Sequence, residues 1–84
     1  MSPVKLYVTV PDLPTVQRVL TLLTGRCYPL TRFEAEEAGA GRWRVSIDTV
    51  VGADQADLLE ARLHRLPSVL SVDLRRSAVL SAVG

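Results

Sequence analysis

The side chains able to do acid–base, nucleophilic or metal chemistry are few and scattered along this chain. His64 is the only histidine and Cys27 the only cysteine of the 84 residues. Neither has a second histidine or cysteine near it in sequence at a metal-ligand spacing, and no Cys-x-x-Cys pair occurs. We therefore predict that His64 is a surface or packed histidine and that Cys27 is a small residue at a corner. No catalytic residue, metal or cofactor is expected.

An acidic cluster lies near the middle of the chain. Glu34, Glu36 and Glu37 precede the glycine-containing segment "AGAG". Strand alternation would place Glu34 and Glu36 on one face and Glu37 on the other. With no histidine nearby, a solvated hairpin is the better interpretation than paired carboxylates for acid–base catalysis.

Two arginines flank the only tryptophan, a combination that occurs in RNA-binding sheets. Arg42 and Arg44 alternate with Trp43, so their guanidinium groups would leave the strand on the face opposite the indole. RNA-binding sheets stack bases on exposed aromatic residues of central strands. Trp43 instead shares a face with Val45 and Ile47, which are expected in the core. The pattern therefore disfavours nucleic acid as a partner.

Composition indicates one small globular domain. The chain is 48% hydrophobic and 23% charged, and its formal net charge is +1. This balance gives no strong attraction to nucleic acid or to an anionic membrane. A single cysteine fits a reducing compartment, and no apolar run has the length of a signal peptide or a membrane span. We expect a cytoplasmic protein with one domain over residues 1–76 and a C-terminal tail over 77–84.

The first half of the chain predicts a strand, a helix and a second strand. Residues 4–10 alternate between apolar and polar, which is typical of a half-buried strand. Asp12 is suited to cap a helix over about 15–24, with Pro14 in its first turn and Gly25 closing it. The expected buried stripe of this helix consists of Val16, Val19, Leu20 and Leu23. A strand over about 28–36 follows, and Pro29 near its start indicates a sheet edge.

The second half predicts a strand, a helix and a final strand. Residues 42–51 alternate again, and Asp54 or Gly52 begins the next helix. Pro67 ends this helix. Residues 68–76 form the last strand. The expected buried positions are Leu59, Leu63 and Leu66 on the helix, and Leu70, Val72 and Leu74 on the strand.

The order β-α-β-β-α-β predicts a ferredoxin-like sandwich. Each helix joins two strands and carries one apolar side. Two such helices bury these sides against the same face of a four-stranded antiparallel sheet, so the fold class is α+β. The right-handed crossover rule favours this arrangement over its mirror image.

Two stretches of this chain, "PTVQRVLTLLTGRCYPL" and "LLEARLHRLPSVLSVDL", carry several short motifs in a defined order. With these motifs the chain resembles the ACT domain, and more narrowly the short regulatory subunits of acetohydroxyacid synthase (acetolactate synthase). The resemblance covers about residues 4–76, and it rests on the order and spacing of its motifs together rather than on any single motif. The matching motifs are Pro14-Thr15, Arg18-Val19-Leu20, Arg26-Cys27-Tyr28, Leu63-His64-Arg65-Leu66 and Val69-Leu70-Ser71-Val72.

This resemblance implies a non-catalytic regulatory module that forms a homodimer through its edge strand. It further implies activation of a thiamine-diphosphate-dependent catalytic subunit in branched-chain amino acid biosynthesis. The alternatives are an amino-acid sensor with a branched-chain or other small amino acid at the dimer interface and, third, an RNA-binding ferredoxin-like module. The implied ligand-binding residues are Asp12, Leu13, Pro14, Thr15, Val16, Tyr28, Pro29 and Leu30.

Overall fold

A computed structural model describes residues 2–76. The predicted tail over 77–84 lies outside the described residues, so that boundary stays a prediction. Six elements follow one another in the expected order. They are β1 (Ser2–Val10), α1 (Leu13–Gly25), β2 (Leu30–Glu37), β3 (Trp43–Val51), α2 (Ala53–Arg65) and β4 (Ser71–Arg76).

The strands form one antiparallel sheet in the order β2-β3-β1-β4. The alternation predicted for β1 and β3 is confirmed, because their inward side chains are buried while the intervening ones are exposed or half-buried. Both helices contribute buried apolar residues to the same core as these inward side chains. The predicted ferredoxin-like fold is therefore confirmed.

The buried side of α1 differs in part from the predicted stripe. Val16, Val19 and Leu23 are buried as expected, whereas Leu20 is 37% exposed. Leu20 lies at the margin of the stripe, about 100° around the helix from Val19, where the sheet no longer covers it. Thr15 is buried instead, and its hydroxyl is satisfied by a hydrogen bond that it donates to the Asp12 carboxylate.

Helix α1 ends in a Schellman motif built on Cys27, not on Gly25 as predicted. Gly25 is the last helical residue, and Cys27 is the residue with left-handed backbone, at a φ of 59°. The Tyr28 amide donates to the Leu23 carbonyl at 3.1 Å and the Cys27 amide donates to the Thr24 carbonyl at 3.1 Å. These bonds satisfy the last carbonyls and turn the chain sharply toward β2.

The corner after α1 is attached to β3 by a buried hydroxyl. Thr49 Oγ1 donates to the Pro29 carbonyl at 2.8 Å, and Thr49 is only 1% exposed. Strand β2 begins at Leu30, two residues later than predicted, because Pro29 has no amide hydrogen to donate to the ladder. The expectation that this strand lies at a sheet edge is confirmed.

Helix α2 begins after Gly52, which settles the choice left open between Gly52 and Asp54. Leu59 and Leu63 are fully buried, and Leu66 packs partly against the core. The predicted burial of Leu70 is wrong. Leu70 precedes β4 and is 50% exposed, although its amide donates to the Thr9 carbonyl.

The left-handed conformation of Cys27 predicts that a glycine there stabilises the domain. A Cβ atom raises the energy of left-handed backbone, whereas glycine adopts it freely. We expect Cys27→Gly to raise the free energy of unfolding by about 1 kcal/mol, measured by urea denaturation. Cys27→Ala, which keeps the Cβ atom, is the matched control and should change little. A lower urea midpoint for the glycine variant would contradict the role given to this backbone conformation.

Candidate functional site

The first turn of α1 is held by Asp12 and Thr15. Asp12 Oδ1 accepts hydrogen bonds from the Thr15 amide at 2.9 Å and from the Thr15 hydroxyl at 2.6 Å. The side-chain and backbone hydrogen bonds from Thr15 lower the pKa of the Asp12 carboxyl, and the nearby Arg18 charge adds to the effect. The predicted capping role of Asp12 is confirmed.

This cap leaves few backbone donors free at the start of α1. Pro14 has no amide hydrogen, the Thr15 amide donates to Asp12 Oδ1, and the Val16 amide donates to the Asp12 carbonyl at 3.3 Å. A ligand carboxylate at a helix N-terminus needs such donors and is repelled by a neighbouring carboxylate. The geometry at Asp12 therefore disfavours an anion and favours a cationic group such as an ammonium.

The predicted ligand-binding residues fall into two groups, which the structure does not bring together within one chain. The first group, residues 12–16, follows the end of β1, where Val10 stands opposite Trp43. The second group, residues 28–30, lies at the other end of the sheet, where Leu30 stands opposite Thr49. The 13 residues of α1 separate the groups by about 20 Å.

The members of the two groups also differ in exposure. Leu13 is 53% exposed, whereas Thr15 and Val16 are buried. Tyr28 and Leu30 are half-buried and pack against the core, so only part of each side chain faces solvent. Asp12, Leu13, Pro14 and Pro29 are the members open to a ligand.

The β2 edge is mostly exposed and carries charges of both signs. The Arg32 guanidinium forms an ion pair with the Glu34 carboxylate on the same strand. Glu36 and Glu37 are exposed in the strand rather than in the following turn, which spans residues 38–42. The acidic cluster is therefore a solvated strand edge, close to the solvated hairpin that was predicted.

The open face of the sheet has an aromatic residue that the sequence analysis did not weigh. Tyr7 lies on the central strand β1, with the Arg44 guanidinium carbon 4.8 Å from its ring centroid and that of Arg75 at 5.7 Å. These distances fit cation–π contacts on the ring. The outward position of Tyr7 in the β1 alternation was the signal that could have identified it. Trp43 lies on the helix-covered side, as expected.

Opposite charges are paired across the same open face. Lys5 lies 3.7 Å from Asp48, and Arg75 lies 2.9 Å from Asp73. Paired charges of this kind offer little net attraction to a phosphate backbone. The arrangement therefore weighs against a nucleic-acid surface, even though an exposed aromatic ring is present.

Among residues 2–76, no group of three or more His, Cys, Asp and Glu side chains is placed to hold a metal ion. His64 and Cys27 are both exposed. No helix within this range combines the length and the apolar character needed to cross a membrane.

Comparison with solved structures assigns the fold. The chain superposes on the ACT domain of the GTP pyrophosphokinase of Chlorobium tepidum with a TM-score of 0.75 and 12% identity, covering 88% of this chain and 97% of that one. It superposes on the acetolactate synthase small subunit of Thermotoga maritima with a TM-score of 0.78 and 20% identity, covering 88% of this chain and 47% of that one.

A third solved structure with this fold is the C-terminal domain of the MgtC protein of Mycobacterium tuberculosis, with a TM-score of 0.71 and 14% identity. The match covers 90% of this chain and 87% of that domain. The sequence itself matches no protein-family model and no curated protein. The chain thus has the fold of ACT domains, and it spans about half the length of the acetolactate synthase small subunit.

The lowered pKa of Asp12 predicts a pH-dependent contribution to stability. A carboxyl group whose folded pKa lies below its ordinary value of 3.8 stabilises the fold above that pH, and the contribution disappears as pH falls through the folded pKa. We expect Asp12→Asn to lower the melting temperature at neutral pH, and to lower it progressively less toward pH 2. Thermal melts of both proteins across this range measure the effect, and a constant difference would contradict it.

Proposed function

We propose that this chain is a non-catalytic regulatory module that forms a homodimer through β2 and acts on a larger enzyme. The ACT fold supports this proposal, as does the similarity to the acetolactate synthase small subunit. The observation that carries it is the open β2 edge, whose outer backbone groups have no strand beside them among the described residues. The proposed partner is a cytoplasmic thiamine-diphosphate-dependent catalytic subunit of the acetolactate synthase type.

The charges of β2 favour antiparallel pairing with a second copy in one register. Two-fold symmetry makes the same strand its own partner, so residues i and j on one copy meet j and i on the other. If Phe33 of one copy lies opposite Phe33 of the other, Arg32 of each copy faces Glu34 of the other copy. This register therefore forms two pairs of opposite charges across the interface. Shifting the strands so that Glu34 faces Glu34 would bring like charges together, which destabilises a ladder.

The same pairing would unite the two groups of predicted ligand-binding residues. In antiparallel pairing, the start of the partner's β2 lies beside the end of this chain's β2. That end of the sheet also carries Asp12, since Glu37, Trp43 and Val10 are aligned across the strands there. A composite site would thus combine residues 12–16 of one copy with residues 28–30 of the other.

Amino-acid sensing at this composite site is the second candidate function. Asp12 could attract the ammonium group of a branched-chain amino acid, and its hydrogen bonds with Thr15 hold the carboxylate in place. The ligand carboxylate would meet few free amides beside Asp12, as Pro14 has none. Activation without amino-acid sensing is therefore the function that we favour.

The register of the proposed dimer predicts the effect of charge reversal. Arg32→Glu or Glu34→Arg places like charges opposite each other twice, so each single variant should raise the dimer dissociation constant about tenfold. The double variant restores opposite charges and should dimerise like the unaltered protein. Sedimentation equilibrium measures all of these proteins at equal concentration.

A mixture of the two single variants provides a further control, because their strands are complementary and a heterodimer should form. An unaltered protein that is monomeric at tens of micromolar would contradict the proposal. So would single variants that dimerise as strongly as the unaltered protein, since they would exclude this edge register.

The regulatory role predicts a measurable effect on a catalytic subunit. We expect the chain to co-purify with the acetolactate synthase catalytic subunit of the same organism and to raise its rate of acetolactate formation severalfold. The Arg32→Glu variant should activate less, because it weakens the dimer.

Addition of valine, leucine or isoleucine at millimolar concentration distinguishes the two candidate functions. We expect no change in rate, whereas inhibition would favour the amino-acid sensor. Failure to co-purify or activate would contradict the proposed partner.

A further inference from the structure

A cleft of about 480 Å³ lies between the C-terminal end of α1 and one side of α2. Its walls come from the corner at residues 25–29, from the end of β3, and from Gln55, Leu58 and Arg62 of α2. Strand β3 leads directly into α2, and both elements contribute buried side chains to the core. The core therefore fixes these two walls of the cleft. The cleft is therefore a feature of the folded domain.

The charge of this cleft is uniformly positive. Arg26 and Arg62 both line it, and no carboxylate is among its lining residues. Within residues 2–76, neither arginine forms an ion pair, whereas Arg32, Arg75 and Arg76 each do. Two arginines without carboxylate partners present donors suited to an anion.

The remaining walls add an apolar surface and one amide. Leu58 is 40% exposed and Pro29 is exposed, and both line the cleft. Gln55 offers both a donor and an acceptor.

We propose that this cleft binds a small organic anion, in which a carboxylate or phosphate ester is carried on a short apolar chain. The guanidinium groups of Arg26 and Arg62 hold the anionic group, and Leu58 covers the chain.

This cleft shares Tyr28 and Pro29 with the composite site of the proposed dimer, but its charged groups do not belong to that site. Arg26 and Arg62 lie at the end of α1 opposite Asp12 and on α2 of the same copy. The proposal therefore does not require the chain to dimerise through β2. Binding of an anion here would not require the displacement of any hydrogen bond seen among Asp12, Thr15 and Val16.

The only cysteine of the chain lines the cleft and provides a local measurement. The test follows alkylation of Cys27 by neutral iodoacetamide at constant ionic strength, with butyrate, n-butyl phosphate or uncharged butyramide added. A site with a dissociation constant of about 1 mM is mostly occupied at about 10 mM ligand, so alkylation should slow about threefold or more. Butyramide should leave the rate unchanged, because it lacks the charge. Comparison of butyrate with n-butyl phosphate distinguishes the two anionic groups.

Charge-removing variants identify the residues responsible. Arg26→Gln and Arg62→Gln should each abolish most of the protection, while circular dichroism confirms that both remain folded. Arg42→Gln is the matched control, because it removes one charge in the turn at the opposite end of the sheet. It should keep the full protection.

Three results would overturn the proposal. They are an unchanged alkylation rate with both anions, equal protection by butyramide, or protection that persists in Arg26→Gln and Arg62→Gln. Protection by either anion that is lost in both variants supports the proposal and names the preferred group. The alkylation test uses variants at Arg26 and Arg62, whereas the dimer test uses variants at Arg32 and Glu34 and a different measurement, so failure here is distinguishable from failure of the β2 dimer.

Discussion

Burial of one sheet face beneath both helices is the constraint on which the rest of this structure depends. Val8, Ile47, Leu23 and Leu63 come from four different elements and are all fully buried. Each such side chain contributes roughly 2 kcal/mol through burial, more than an exposed ion pair on the open face provides. The helices must therefore lie on this side, and the chain must turn sharply at each helix end to return to the sheet.

The two ends of α1 show how these turns satisfy the backbone. At the start of the helix, the Asp12 carboxylate accepts a hydrogen bond from the Thr15 amide. At its end, the left-handed backbone of Cys27 brings the following amides to the last helical carbonyls, which accept hydrogen bonds from them. Because both ends are closed by the chain itself, the helix exposes few backbone groups to a ligand. The recognition that we propose therefore uses the β2 edge, whose outer backbone groups have no partner strand among residues 2–76, and side chains such as Arg26 and Arg62.

The open face and the edge of the sheet differ in their suitability for a partner. On the open face, Tyr7 contacts Arg44 and Arg75, and the acidic residues beside them pair with neighbouring cations. Because its charged groups have partners within the chain, this face can remain exposed to solvent. The β2 edge instead has outer backbone groups with no partner strand among the described residues, and Arg32 and Glu34 lie along it. The dimer that we propose therefore uses the edge rather than the open face.

The sequence alone determined the element order, the fold class, the Asp12 cap and the edge position of β2. Those features follow from local rules: alternation, helical periodicity, capping chemistry and the missing amide of Pro29. Only the tertiary structure decided that Leu20 is exposed and that Cys27 rather than Gly25 adopts left-handed backbone. It also placed the two groups of predicted ligand-binding residues about 20 Å apart. These outcomes depend on which neighbours the sheet supplies, and residues distant in sequence supply them.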